Sequence, residues 1–208
     1  AGSALYVSPD VVAFRARTNS PHGGQSLFVQ GNYGGQLSAR GETLDLLRPD
    51  GSIAASQTYA GTPSAVQQDL RISEVHYSPR EPTAAELAAL PGSAASDFEF
   101  LEFVNVGTTN LVLSGCHFVD GVTFTFPTET RIPTGGRLVI AANPAALTLR
   151  HPLLTPAPLG PWYGSLDNGG EVIELLDAAN DIILEFSYND GRGWPLAADG
   201  AGHSLVPC

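Results

Sequence analysis

Apolar and polar residues alternate with period two along much of the chain. "FEFLEFVNV" (Phe98 to Val106) is the clearest run, and "LRISEVHYSP" (Leu70 to Pro79), "LVLSGCHFVDG" (Leu111 to Gly121) and "VTFTFP" (Val122 to Pro127) share the habit. Successive side chains of a strand point to opposite faces, so this period predicts half-buried strands. Gly, Pro, Asn and Asp break the runs at short intervals, as in an all-β sandwich. One stretch departs from the pattern. "PTAAELAALPG" predicts a helix, with Thr83 as N-cap, Glu86 three positions on and Pro91-Gly92 as the stop. "NPAALTLR", after Asn143, predicts a further single turn.

The pattern also repeats. "LSARGETLDLLRPDGSI" (Leu37 to Ile53) and "LDNGGEVIELLDAANDI" (Leu166 to Ile182) both run from Leu through turn formers to Gly-Glu, an apolar alternation ending in Leu-Leu, a loop and Ile. The match extends backwards, from "ALYVSPDVVAFRAR" (Ala4 to Arg17) to "RLVIAANPAALTLR" (Arg137 to Arg150). Forwards, "SIAASQTYAG" (Ser52 to Gly61) matches "DIILEFSYND" (Asp181 to Asp190). Residues 4–61 thus recur as roughly 137–190, and a repeat constrains the fold before any single element does. The second copy follows strands that have no counterpart ahead of the first. The expected organisation is therefore the C-terminal half of a β-domain over residues 1–66, then a complete domain of the same type over 67–208. "GTPSAVQQD" (Gly61 to Asp69) reads as the connection between them.

A half sandwich leaves strand edges and an apolar face uncovered. That face is expected to hold Leu44, Leu46 and Ile53, with Phe14 and Phe28. A neighbouring domain or a second copy in a homodimer is its expected cover. In the complete domain the expected core is Phe98, Phe100, Phe118, Phe124, Val139, Ile173, Leu175, Ile183 and Phe186.

Composition narrows the function. The chain has 208 residues, enough for one sizeable core, with 43% hydrophobic and 15% charged residues. Net charge is −11, and all ten basic residues are Arg, scattered along the chain. A phosphate backbone needs cations gathered on one face, so nucleic acid is not expected as a partner. No apolar run approaches the ~18 residues of a membrane span. The absence of Met and of a signal peptide reads as a piece of a longer or processed protein. An acidic sheet domain suits a secreted or surface location.

Candidate chemistry is sparse. His22, His76, His117, His151 and His203 show no metal-ligand spacing; His76 and His203 are expected at sheet ends, where they approach one another or simply hydrogen-bond locally. Glu99 and Glu102 fall on opposite strand faces and do not make a catalytic carboxylate pair. Glu102 shares the Phe98–Phe100 face, so it is expected at a bulge or with an Arg or backbone N–H partner. "DNGGE" (Asp167 to Glu171) lacks the alternate oxygen ligands of an EF-hand loop, and its glycines read as a tight turn. Incidental calcium binding by such loop oxygens, with Asp120, Asp190 and Asp199, stays as an alternative. There is no nucleophile elbow, P-loop or dinucleotide fingerprint. Trp162, Tyr163 and Trp194 sit in Pro/Gly-rich loops and form a candidate ligand platform or interface; the other reading is a plug over one end of the sandwich. Cys116 reads as a buried thiol and Cys208 as an exposed one, with a single disulfide between them as the alternative.

"ISEVHYSP", "DFEFLEFVNVGTTNLVLSGCHFVDGVTFTFP", "GRLVIAANPAAL", "YGSLDNGGEVIELLDAANDIILEFSYND" and "WPLAADGAGHSL", in that order over residues 69–206, resemble the bacterial lamin tail domain. Residues 4–61 resemble the later half of the same domain, with Arg40 where the second copy has Gly169. The resemblance implies an immunoglobulin-like antiparallel β-sandwich from a large secreted or cell-surface bacterial protein. Animal relatives follow a coiled coil, but no heptads occur here, so the filament role does not carry over. The expected function is a non-enzymatic module for spacing, adhesion or docking to protein partners or other domains of a parent chain. No catalytic residue, cofactor or metal is expected. The first alternative is an accessory carbohydrate- or calcium-binding module beside an extracellular hydrolase; a hydrolase in its own right is the second.

Overall fold

The computed structural model describes residues 4–20, 26–35, 37–191 and 193–207. His22 and Cys208, and with Cys208 the question of a disulfide, lie outside the described residues. The chain divides into two compact units, Ala1–Gly61 and Thr62–Cys208.

In the first unit, β1 (Leu5–Val7) pairs in parallel with β2 (Phe28–Gln30). Between them lies the short helix α1 (Val11–Ala16), started by Asp10, whose carboxylate accepts the Ala13 N–H at 2.8 Å. Its one buried side chain is Phe14, stacked on Tyr6 at 5.8 Å. A hairpin of β3 (Glu42–Leu47) and β4 (Ile53–Tyr59) completes the unit. Asp50 and Gly51 make its turn: the Asp50 carboxylate accepts the Ser52 N–H, and Gly51 sits at φ 83°, where glycine has no Cβ penalty. Asp50 gains from this, since the Ser52 hydroxyl and N–H hold its carboxyl below the ordinary range. Among the described residues β3 and β4 pair only with each other. Leu44, Leu46 and Ile53 are exposed, as is Phe28, whereas Phe14 is buried.

The second unit opens with α2 (Ala65–Asp69), inside the segment that reads as a connection in sequence. Ser64 and Gln67 form a capping box, and the Gln67 amide also donates to the Ile182 carbonyl at 2.8 Å. From Ser64 on, the "GTPSAVQQD" segment is thus tied into the second unit, because S-x-x-Q is itself a helix-start signal.

Among the described residues eight strands follow: β5 (Leu70–His76), β6 (Phe100–Asn105), β7 (Leu111–Val112), β8 (His117–Asp120), β9 (Arg131–Ile132), β10 (Arg137–Ala141), β11 (Val172–Leu176) and β12 (Ile182–Ser187). One sheet has the order β10-β6-β5 and another β12-β11-β8, with a small β7-β9 pair, and every ladder is antiparallel. The fold is all-β and immunoglobulin-like. The predicted helix forms as α3 (Ala84–Ala89) with both halves of the capping box in place. The predicted turn forms as α4 (Pro144–Arg150), where Asn143 accepts the Ala145 and Ala146 N–H groups.

Rings from the two large sheets meet between them: Phe103 of β6 lies 6.0 Å from Phe118 of β8, and Phe126 joins both. Asn105 is fully buried at the end of β6 and satisfied, donating to the Thr109 and Ile132 carbonyls and accepting the Gly107 N–H.

The expected core needs one correction. Phe98, Phe118, Val139, Ile173, Leu175 and Ile183 are buried, but Phe100, Phe124 and Phe186 are only partly so. The core face of β6 is Leu101, Phe103 and Asn105. A 3₁₀ turn over Ala95–Phe98 ends just ahead of β6, so the alternation counted through Phe98 does not run into the strand. Phe98 is buried from the turn, while Phe100 faces the opposite side of the sheet and packs on a second cluster of Val139, Ala141 and Leu147 beneath α4.

Candidate functional site

The outer face of the β10-β6-β5 sheet carries a depression. Its volume is 440 Å³, its floor is Phe100, Val139 and Leu147, and Leu153 and Leu154 form an apolar wall. Leu153, in the loop after α4, is 91% exposed. The rim is polar. Glu102 accepts from the Ser73 hydroxyl at 2.8 Å and is paired with Arg137, the Arg partner its position in the strand demands. Glu74 accepts from the Ser204 hydroxyl.

Behind the rim lies a buried ion cluster. Glu86 of α3 accepts from the Arg150 Nε at 2.8 Å, from Arg80 at 3.3 Å, and from the Thr83 N–H and hydroxyl at 2.6 and 2.9 Å. The Arg150 side chain is 6% exposed and its guanidinium sits 3.4 Å above the Phe98 ring. Arg150 first, with the Thr83 and Arg80 donors, holds the Glu86 carboxyl well below the usual carboxylate range against the cost of burial. His76 is buried edge-on against Phe100, 5.2 Å away, and burial, with the Arg150 charge adding to it, pushes its pKa down to about 4. His151 is lowered for the same two reasons. The His76 imidazole is therefore neutral at pH 7. His203 is exposed.

Glu99 is a strongly perturbed acid on the core side. It is 2% exposed and accepts the Leu166 N–H at 2.9 Å. Burial lifts its pKa to about 8, outweighing that hydrogen bond, and the Glu171 and Asp97 charges push the same way. The folded state keeps a proton that the unfolded chain releases near 4.5. Stability is then highest below pH 4.5 as far as this group is concerned, falls as pH rises through the window to about 8, and levels off above it. The slope cannot exceed about 1.4 kcal/mol per pH unit for one proton. Denaturant melts of Glu99→Gln between pH 5 and 9 should show that slope flattened; an unchanged slope would place its origin elsewhere.

The "DNGGE" turn uses its oxygens internally. Asp167 accepts the Gly169 N–H on its carboxylate and the Gly170 N–H on its carbonyl. Glu171 accepts the Asp167 N–H and, at 2.9 Å, the Tyr188 hydroxyl. Gly170 has φ 103°, and a Cβ there would lie 2.4 Å from the Tyr188 carbonyl oxygen. Among the described residues no group of three or more His, Cys, Asp or Glu is placed to hold a metal ion.

The aromatic candidates separate. Trp162 is buried in the main core, whereas the next residue, Tyr163, is 80% exposed. Tyr163 exchanges backbone hydrogen bonds with Thr123, and neighbouring side chains on such an extended segment point opposite ways. Trp194 is half-buried against the core. Cys116 is buried, and burial pushes its thiol pKa up to about 11, with the Asp177 charge adding to it.

The groove was not visible in sequence, because its floor comes from β6, β10 and α4. The one local signal was "HPLLTP", two leucines between prolines in a loop.

Residues 63–190 match the family model described as Lamin Tail Domain. The match takes in more than half of the chain, and the chain belongs to that family, an immunoglobulin-like and non-catalytic one whose character is that of an interaction module. No curated protein matches the chain. Among the described residues no helix is long and apolar enough to cross a membrane.

Proposed function

We propose that the chain is a non-enzymatic docking and spacing module of a secreted or surface multidomain bacterial protein, with a partial lamin-tail-type copy over residues 1–66 ahead of a complete one over 67–208. The observation that carries docking is the groove beside α4. An exposed leucine wall over an apolar floor, rimmed by Glu102 in its pair with Arg137 and by Glu74 hydrogen-bonded to Ser204, has the anatomy of an interface: an apolar centre and a polar border. The partner is a protein or another domain of the parent chain.

The rival reading, an accessory carbohydrate or calcium module, draws on Tyr163, which offers an exposed ring. Calcium titration followed by thermal unfolding, together with a glycan array, separates the two. The expected outcome is no shift in melting temperature at millimolar calcium and no retained glycan. A saturable shift, or glycan retention lost in Tyr163→Ala, would favour the accessory module.

A further inference from the structure

The two hairpins are built alike atom for atom. The Tyr59 hydroxyl donates to the Ser38 carbonyl at 2.8 Å and to Glu42 Oε1 at 3.0 Å; the Tyr188 hydroxyl donates to the Asp167 carbonyl at 2.8 Å and to Glu171 Oε1 at 2.9 Å. Glu42 accepts the Ser38 N–H as Glu171 accepts the Asp167 N–H. Gly41 and Gly170 both have positive φ, with carbonyls too close for a Cβ. The bulges fall between Leu46 and Leu47 in β3 and between Leu175 and Leu176 in β11. The correspondence continues upstream, where Ser8 N–H donates to the Gln30 carbonyl at 3.0 Å and Ala141 N–H to the Leu159 carbonyl at 2.9 Å.

One thing differs. β11 has strands on both sides: β12, and β8 in antiparallel register with Leu175 opposite Phe118 and Leu176 opposite His117. β3 has β4 alone. Leu175 is 0% exposed and its counterpart Leu46 is 66% exposed. Leu44 and Leu46, with Val7, Leu37 and Ala55, line an open groove of 570 Å³.

We infer that the free edge of β3 is a strand acceptor: it takes an antiparallel β-strand from a separate protein, in the place that β8 occupies beside β11. The second unit supplies the template for the occupant. It is an extended segment with an aromatic residue facing Leu46, as Phe118 faces Leu175, so that main-chain hydrogen bonds give affinity and the aromatic fills the groove. The carboxylate of Asp45 stands where Glu174 stands, opposite Asp120 in the template. Like charges directly opposite destabilise a ladder, so the preferred donor carries a basic residue at that position. A second copy of this chain is a poorer donor. Its own β8-type strand is already paired in its core, and two chains of net charge −11 repel. Gln57 replaces Phe186 in the groove wall, which leaves room for a bulky donor side chain.

This inference rests on reading residues 1–66 as a partial copy. The probe is a synthetic peptide of residues 113–122 with C116S, titrated into the full chain and followed by backbone amide NMR. Saturable binding is expected, with shifts centred on residues 44–47, tighter for the D120K peptide and about tenfold weaker for the Leu46→Asp protein. Leu46 is exposed, so that variant keeps its fold, which unchanged amide signals of α1, β1 and β2 in the same unit verify. No saturable binding at millimolar peptide, or equal binding by Leu46→Asp, overturns the inference. So does a dimer in light scattering that Leu46→Asp converts to monomer, because the acceptor edge is then filled by its own copy. Calcium or glycan binding would instead sink the docking-module reading and leave strand acceptance standing.

Discussion

Glu86→Ala is expected to destabilise the second unit by about 3–5 kcal/mol, the cost of leaving a buried charge without its partner. Arg150 is the group left behind. Its side chain is 6% exposed, and Glu86 is the carboxylate its Nε and Nη2 reach. Removing Glu86 strands that guanidinium over Phe98 and also frees the Thr83 N–H at the start of α3. Glu86→Gln keeps the shape and the cap while losing the charge, so it should fall between. Glu86→Gln with Arg150→Met removes the pair together and should recover most of the loss.

The pH dependence follows from the sign. Glu86 has a depressed pKa, so its contribution is present above the ordinary value of 4.5 and lost as pH falls below it. That acid limb lies outside the Glu99 window, so the two groups titrate separately. Urea melts followed by tryptophan fluorescence report this unit alone, since both tryptophans, Trp162 and Trp194, belong to it. A loss below about 1 kcal/mol for Glu86→Ala would mean that the pair is solvated in solution.

Leu175→Ala and Leu46→Ala form the second large expectation, as a contrast. The residues hold matching places in matching hairpins. Leu175 is fully buried, and its truncation should cost about 2–5 kcal/mol through lost burial and the cavity left behind. Leu46 stands in the open, and its truncation should stay within about 0.5 kcal/mol. Tryptophan fluorescence reads the first and amide hydrogen exchange of β3 and β4 the second. A large loss at Leu46 would show that its face is packed in solution by something the free chain already carries.

Local chemistry was legible in the sequence. Thr83 and Glu86, two residues of one turn, announced α3; Asn143-Pro144 announced α4; Gly169-Gly170 announced a tight turn. Each is decided within a few bonds, so neighbouring residues suffice. The same kind of signal, Ser64 with Gln67, was present for α2 but lay in a segment whose small polar residues also suit a linker. The period-two runs likewise announced strands, and their order with the Gly-Glu turns carried the family.

What the sequence left open was which face of a strand is inside and who meets whom. Phe98, Phe100, Leu101 and Phe103 are all apolar, so periodicity alone allows either face of β6 to be the core. A 3₁₀ turn before Phe100 and the seat of α4 decided it. Trp162 and Tyr163 look alike in sequence and part in space. Glu86 reads as a cap, and only the fold brings Arg150 to it from the far end of α4. Glu99 acquires its proton from burial, a property no neighbour in the chain confers. The Leu46 and Leu175 pair is the sharpest case: the two hairpins agree locally in hydrogen bonds and register, and the third strand and facing sheet around β11, which β3 lacks among the described residues, make one leucine core and the other surface.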